Sequence, residues 1–293
     1  MHRRSLLTAL LVSSLLVVQP SAQAPAKHFL WSVTDAKGAV VYLMGSIHVL
    51  TPDFYPLSPE LEKAFDASKV LVEELDLDEL NNPAALLPVL AKAMYTDGRT
   101  LEQNVSASTF AEVTRRAEKA GLPMMALQRM KPWMAAEAMT LPALQAAGFD
   151  PALGVDKHFF DKAKAAGKEL RALETVAYQL GRFDQLTPAM QEAMLNQTMA
   201  ELDTQVTSVK EVATAWAAGD TATIERLLLK DMLTSPELYQ ALLVERNQNW
   251  IAPIEACLQQ NAGCLVVVGA AHLIGPDGVP TLLQKKGYTV KQQ

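Results

Sequence analysis

The sequence predicts an α+β fold, a mixed α/β architecture whose central mixed sheet comes from both chain ends and whose middle is largely helical. Three observations carry that prediction. Segments rich in β-branched and aromatic residues cluster at residues 29–73 and again at 264–290, the composition of half-buried strands. From about Asp78 to Gln260 the chain is instead rich in Ala, Leu, Met and Gln, with recurrent helix-start signals. No linker or low-complexity tract divides it, so residues 27–293 read as one domain.

The elements follow in order. Phe29 to Thr34 and Ala39 to Met44 flank Asp35-Ala36-Lys37-Gly38, a hairpin turn. Ser58 as N-cap and Pro59 at the first helical position open a helix, with Leu61, Ala64 and Phe65 on one face. Lys69 to Val72 is a short apolar strand running into Glu73 and Glu74. In the middle, helix starts are expected at Thr109 (a capping box with Glu112), Thr187-Pro188, Asp220 and Ser235-Pro236. Gly121 and Gly148 read as helix stops, and Glu169 to Leu173 as a strand. At the end, Cys264 to Val268 is a buried strand, Gly269 to Gly278 a loop, and Val279 to Lys286 a helix closed by Gly287. Tyr288 to Val290 is a last short strand.

Composition narrows the setting. Arg3 and Arg4, the apolar run Leu6 to Val18 and the small residues from Ser21 to Ala26 form an export signal over residues 1–26, cut near Ala24 or Ala26. The run is too short to remain as a stable membrane span, although a retained anchor is the competing reading. The arginine pair also has twin-arginine form. A periplasmic or secreted location follows. About half the residues are apolar and the net charge is −6, which is no footprint for nucleic acid. The two cysteines, Cys257 and Cys264, either close a short disulfide in an oxidising compartment or stay as packed thiols. Neither has a partner at metal-ligand spacing.

Two short motifs carry the chemistry. Gly45-Ser46-Ile47-His48 follows one strand and Gly269-Ala270-Ala271-His272 follows another. Each has a glycine that lets the chain turn and a histidine three residues on. Sites assemble in loops past the carboxyl ends of strands, so two such loops can join His48 and His272 across about 220 residues of sequence. Neutral imidazoles suit Zn, Mn, Co or Fe. Glu73 and Glu74 end a third strand and face opposite ways, so at most one lines a shared site. Two histidines and a carboxylate are the minimum for metal-assisted hydrolysis; a carboxylate–base pair without metal is the alternative. Ordinary polar loop residues would explain the same pattern. Arg246 falls on the apolar face of Leu238 and Leu242, and a buried arginine needs an anion: a substrate oxyanion, or a structural pair with Glu174 or Asp156. Asp156 and Glu174 are candidates to orient a histidine from behind, and Glu73 is a third candidate to support the site from that position. Ser46 lacks an adjacent base beyond His48 and is not expected to be a nucleophile.

These residues, with Val72-Glu73-Glu74-Leu75-Asp76, Lys131-Pro132-Trp133, Gly154-Val155-Asp156, Leu173-Glu174-Thr175, Glu245-Arg246-Asn247 and Gly287-Tyr288, resemble the TraB/GumN family over nearly the whole mature chain. That family is similar to the animal TIKI proteins, membrane-tethered proteases dependent on a divalent metal. The resemblance implies that His48, His272 and a glutamate hold the metal and carry the activity. It selects Glu74, because a glutamate, one residue, then aspartate matches Glu74-Leu75-Asp76. Arg246 would then stabilise developing negative charge. The expectation is an exported metal-dependent hydrolase, a TIKI-like peptidase using Mn, Co, Zn or Fe on a peptide or small-molecule substrate. The wider fold is similar to erythromycin esterases and haem-binding ChaN-like proteins. Two rivals therefore stand: a metal-free esterase-like hydrolase, and a non-catalytic protein that binds a ligand or haem.

Overall fold

Asp35 turns the chain by accepting the backbone N–H groups of Lys37 (2.9 Å) and Ala39 (2.8 Å) on one carboxylate oxygen. Strands β1 (Leu30–Thr34) and β2 (Val40–Ser46) pair antiparallel on either side. The computed structural model describes residues 27–293; the export signal read over residues 1–26 lies outside them. Helix α1 (Pro59–Ala67), capped by Ser58 as expected, leads into β3 (Val70–Glu73).

The middle contributes α2 (Pro83–Ala93), α3 (Ala107–Ala120), α4 (Pro132–Ala146) and α5 (Val155–Ala165), then the edge strand β4 (Glu169–Ala172). It continues as α6 (Val176–Asp184), α7 (Pro188–Glu201), α8 (Gln205–Ala217), α9 (Thr221–Met232) and α10 (Glu245–Gln259). Strand β5 (Cys264–Gly269), helix α11 (Val279–Lys285) and β6 (Thr289–Gln292) complete the chain. The sheet order is β4-β3-β5-β2-β1-β6. Strands β4, β3, β5 and β2 run parallel, while β1 and β6 extend the β2 edge antiparallel. This is the α+β fold with a mixed sheet from both chain ends that the sequence predicts. Every residue of β3 and β5 is buried, as parallel strands covered on both faces require.

The main core lies on this sheet, with Phe29, Phe159, Trp216 and Trp250 among its buried side chains. A separate apolar cluster, including Val113, Met139, Leu195 and Met199, holds α3, α4 and α7 together. Cys257 and Cys264 form a disulfide from the last turns of α10 to the first residue of β5. Among the described residues no helix is long and apolar enough to cross a membrane.

One helix start differs from expectation. The cap of α3 is Ser106, which accepts from the Thr109 N–H at 3.2 Å. Thr109 lies inside the helix and donates to Glu192, and Glu112 bonds Arg115 and Arg116 rather than closing a capping box. The start at Ser235-Pro236 is where expected, with Pro236 in the first turn and no side-chain bond from Ser235. The short helix after it passes through a π-helical turn, Gln240–Val244, into α10.

Candidate active site

Register explains why residues so far apart in sequence meet. Across the parallel pair, Gly45 lies opposite Val268 and Ser46 opposite Gly269, while Glu73 lies opposite Val267. Three adjacent strands therefore end at one level and deliver His48, His272 and Glu74 to one place. The two motif glycines serve this differently from the expected turning role, for neither has a positive φ. They are small because their neighbours are close. A β-carbon on Gly45 would sit 2.2 Å from the Phe29 ring, and one on Gly269 would sit 3.2 Å from Glu74 Oε1 and 3.5 Å from His48 Nε2.

His48 is held from behind. Gly154 packs against the His48 carbonyl and Val155 N–H donates to Ile47 O at 3.0 Å, which sets Asp156 in the first turn of α5 at 2.8 Å from His48 Nδ1. The charge of Asp156 outweighs partial desolvation and raises the imidazole to about 9. The ring is 61% exposed, and Asp156 occupies Nδ1, so Nε2 is the nitrogen available to a substrate. Ser46 Oγ lies 3.5 Å from Nδ1, the nitrogen Asp156 already holds. It is not paired with the free nitrogen as a nucleophilic serine would be.

Glu74 and His272 belong to a buried network centred on Arg246. The Gly269 N–H donates to Glu74 Oε1 at 2.6 Å, and Gln179 Nε2 and Arg246 Nη2 donate to Oε2 at 2.7 Å each. Burial opposes ionisation of Glu74, but the Arg246 guanidinium and these donors hold it below the usual carboxylate range. His272 is driven the other way. Burial lowers it to about 3, so it is neutral at ordinary pH and the lasting positive charge beside Glu74 is that of Arg246. Nδ1 of His272 meets Asn247 Oδ1 at 2.6 Å, and Nε2 accepts from Arg246 Nη1 at 3.1 Å.

Arg246 is spent within the protein. Its Nε reaches Glu174 at 3.0 Å, Nη1 reaches Leu242 O and His272, and Nη2 reaches Glu74 and Glu174. Those partners match the five N–H donors of a guanidinium, leaving none for the expected contact with an oxyanion. The arginine positions Glu74 and His272 and supplies a fixed field. Trp250 packs beneath it, 5.0 Å from the guanidinium carbon and 4.4 Å from the His272 ring, and donates to Glu174 at 2.9 Å.

Of the three residues expected behind the site, Asp156 orients His48 and Glu174 holds Arg246. Glu73 does neither. It is buried, neither carboxylate oxygen has a hydrogen-bond partner among the described residues, and burial pushes it up to about 10. Sequence reasoning missed Gln179, Asn247 and Trp250. Asn247 and Trp250 follow Arg246 along α10, where helical spacing was a usable signal. Gln179 reaches Glu74 from α6 across the fold and carries no local sign.

The expected metal set does not fit as arranged. Ligation needs lone pairs converging from His48, His272 and Glu74, yet both His272 nitrogens are engaged and a guanidinium stands where a cation would have to sit. Among the described residues no group of three or more His, Cys, Asp or Glu side chains is placed to hold a metal ion. The same closure of His272 removes paired-histidine ligation of haem.

Two cavities open onto this cluster. One of about 720 Å³ is walled largely by apolar side chains such as Leu90, Phe183 and Val212. The other, of about 500 Å³, is bordered by Glu73 and Asp156. Ser46, His48, Glu74 and Gln179 line both.

Comparison with known proteins agrees with the motif reading. The chain is 24% identical over 260 residues to YbaP, an uncharacterized protein of Escherichia coli (strain K12), covering 88% of this chain and 94% of that protein. YbaP of Shigella flexneri matches with the same identity and coverage. No solved structure matches at a significant level. The family profile matches residues 29–292, nearly all of the described chain: this protein belongs to the TraB/PrgY/gumN family.

Proposed function

We propose that this protein is an exported hydrolase of amide or ester bonds in which His48, backed by Asp156, is the general base. One observation carries the reading. A β-carbon built on Gly269 would lie 3.2 Å from Glu74 Oε1 and 3.5 Å from His48 Nε2, so both groups stand over the same glycine, and both line the same two cavities. Asp156 fixes the imidazole and balances its charge once it takes a proton. Glu74 Oε1 accepts only the Gly269 N–H, which leaves a lone pair to orient the attacking water. Gln179 gives one N–H to Glu74 and has a second for the substrate oxygen as charge develops there. The fixed charge of Arg246 favours the same charge without touching it. A periplasmic or secreted setting is supported by the Cys257–Cys264 disulfide.

A metal-dependent peptidase is the second reading, favoured by the His48–Asp156 hydrogen bond, the kind of support a ligating histidine receives. The test is hydrolysis of p-nitrophenyl esters and p-nitroanilides of graded acyl length by the purified mature protein, before and after EDTA. The expected result is turnover that survives chelation and falls at least about 100-fold in His48→Ala. Turnover abolished by EDTA and restored by Mn²⁺ or Co²⁺ would instead establish the metal-dependent peptidase. No turnover of any probe would leave a binding protein.

A further inference from the structure

The larger cavity, of about 720 Å³, is the part of the site that the hydrolytic step leaves unused. It adjoins the reacting groups, since Ser46, His48, Glu74 and Gln179 line it. From there its wall passes onto five helices: Leu90 comes from α2, Trp133 from α4, Phe183 from α6, Val212 from α8 and Leu228 from α9. Helix backbones spend their N–H and C=O groups within themselves, so these walls offer an occupant no main-chain partner. Side chains offer little more. Away from the catalytic cluster the wall carries two strongly polar groups: Trp133 Nε1, which is itself buried, and the Glu137 carboxyl, which burial raises. A peptide needs partners for an N–H and a C=O at almost every residue, and a helical wall without strand edges cannot supply them. A hydrocarbon chain needs none.

The rim points the same way. Seven large hydrophobic side chains stand exposed among the described residues, and three of them, Leu80, Leu87 and Leu90, fall in or just before α2. Leu87 (63% exposed) and Leu90 (38%) share a face of this helix at i, i+3, and Leu90 also lines the cavity. Apolar side chains kept in water at the edge of an apolar cavity mark a ligand-binding groove. The cavity volume also falls in the range of about 300–1,000 Å³ that holds small-molecule ligands. We propose that the substrates are esters or amides of a medium-length acyl chain, and that the alkyl part lies in the larger cavity against α2, α4, α6 and α8. Its carbonyl end then meets His48 and Glu74. That last placement rests on the hydrolase reading, whereas the chain site stands on the cavity walls and rim alone.

Calorimetric titration of the full mature protein with 1-butanol, 1-hexanol and 1-octanol tests the chain site with probes that carry no acyl bond. Affinity is expected to rise about threefold per added methylene, on the order of 100-fold from butanol to octanol. Val209→Trp fills the cavity from α8. With folding checked by thermal melting, it should weaken octanol at least about tenfold while turnover of p-nitrophenyl butyrate persists. Leu90→Asp, at a position already open to solvent, should weaken octanol to a similar degree. A flat alcohol series would overturn the proposal, as would octanol binding untouched by both substitutions. Tighter binding of N-acetyl-tetraalanine amide than of octanol would also overturn it, since the walls would then accept a peptide. If the series is steep while no ester of any acyl length is hydrolysed, the hydrolase reading falls and the chain site remains. If p-nitrophenyl butyrate is hydrolysed and the series is flat, the chain site falls alone.

Discussion

At the scale of single residues, the His48–Asp156 pair governs the pH behaviour. Asp156 holds the imidazole at about 9, and His48 accepts a proton only when neutral, so kcat/KM should climb with pH until about 9. Asp156→Asn removes the charge. The inflection is then expected to move toward the ordinary histidine value near about 6.5, with a lower plateau because the ring loses its anchor. A pH–rate profile of the two proteins measures both effects, and an unchanged inflection would show that His48 is not the base. The same shift acts on stability. A raised histidine value stabilises the fold fully below its unfolded value, and this contribution is lost as pH rises through about 9. Because the ring is more than half exposed, the loss should stay below about 1 kcal/mol.

At the scale of elements, the strand ends and the Arg246 helix set the site. Gly45 and Gly269 begin matching motifs on neighbouring parallel strands, yet their substitutions should behave differently. Alanine at Gly45 drives its β-carbon into the buried Phe29 ring and is expected to cost about 1–3 kcal/mol, as overpacking does. Alanine at Gly269 meets its neighbours at 3.2–3.6 Å, so the fold should change little. Its methyl group, however, would crowd both Glu74 Oε1 and His48 Nε2. Activity is then expected to drop on the order of 100-fold, the effect of displacing a reacting group by about 1 Å. Melting curves and turnover of the two variants would separate the roles, and a destabilised but active Gly269→Ala would contradict the placement. The π-helical turn before α10 belongs to the same logic. It brings Leu242 O to 3.2 Å from Arg246 Nη1, at a kind of helix irregularity common at functional sites.

At the scale of the whole molecule, the disulfide ties the helix that carries Arg246 to the strand that ends in Gly269. It closes a loop with a sequence separation of 7, for which loop entropy gives a stabilisation of about 2–3 kcal/mol. Reduction, or Cys257→Ser with Cys264→Ser, is expected to lower the unfolding free energy by that amount in denaturant titrations. A tether also fixes where α10 lies on the sheet, so turnover should fall at temperatures where the reduced protein is still folded. Unchanged stability after reduction would show that packing of Ile254 and Leu258, both buried on this helix, holds the junction unaided.

Much of this was legible in sequence because it is local. Alternating and continuous apolar runs marked the strands, and Ser58, Thr187 and Gly121 marked helix ends through backbone bonds within a turn of themselves. The paired Gly-x-x-His motifs marked the candidate site, since strand ends are where parallel sheets build one; side-chain alternation allowed only one of Glu73 and Glu74 to line it, and the family resemblance selected Glu74. What those groups do was decided only by tertiary structure. Whether His272 offers a lone pair depends on Arg246 and Asn247 from α10, and the basicity of His48 on Asp156 from α5. The unpartnered state of Glu73 depends on what packs across β3. Protonation and ligation are set by charges and donors within a few ångströms in space, and those neighbours lie from 25 to 195 residues away along the chain.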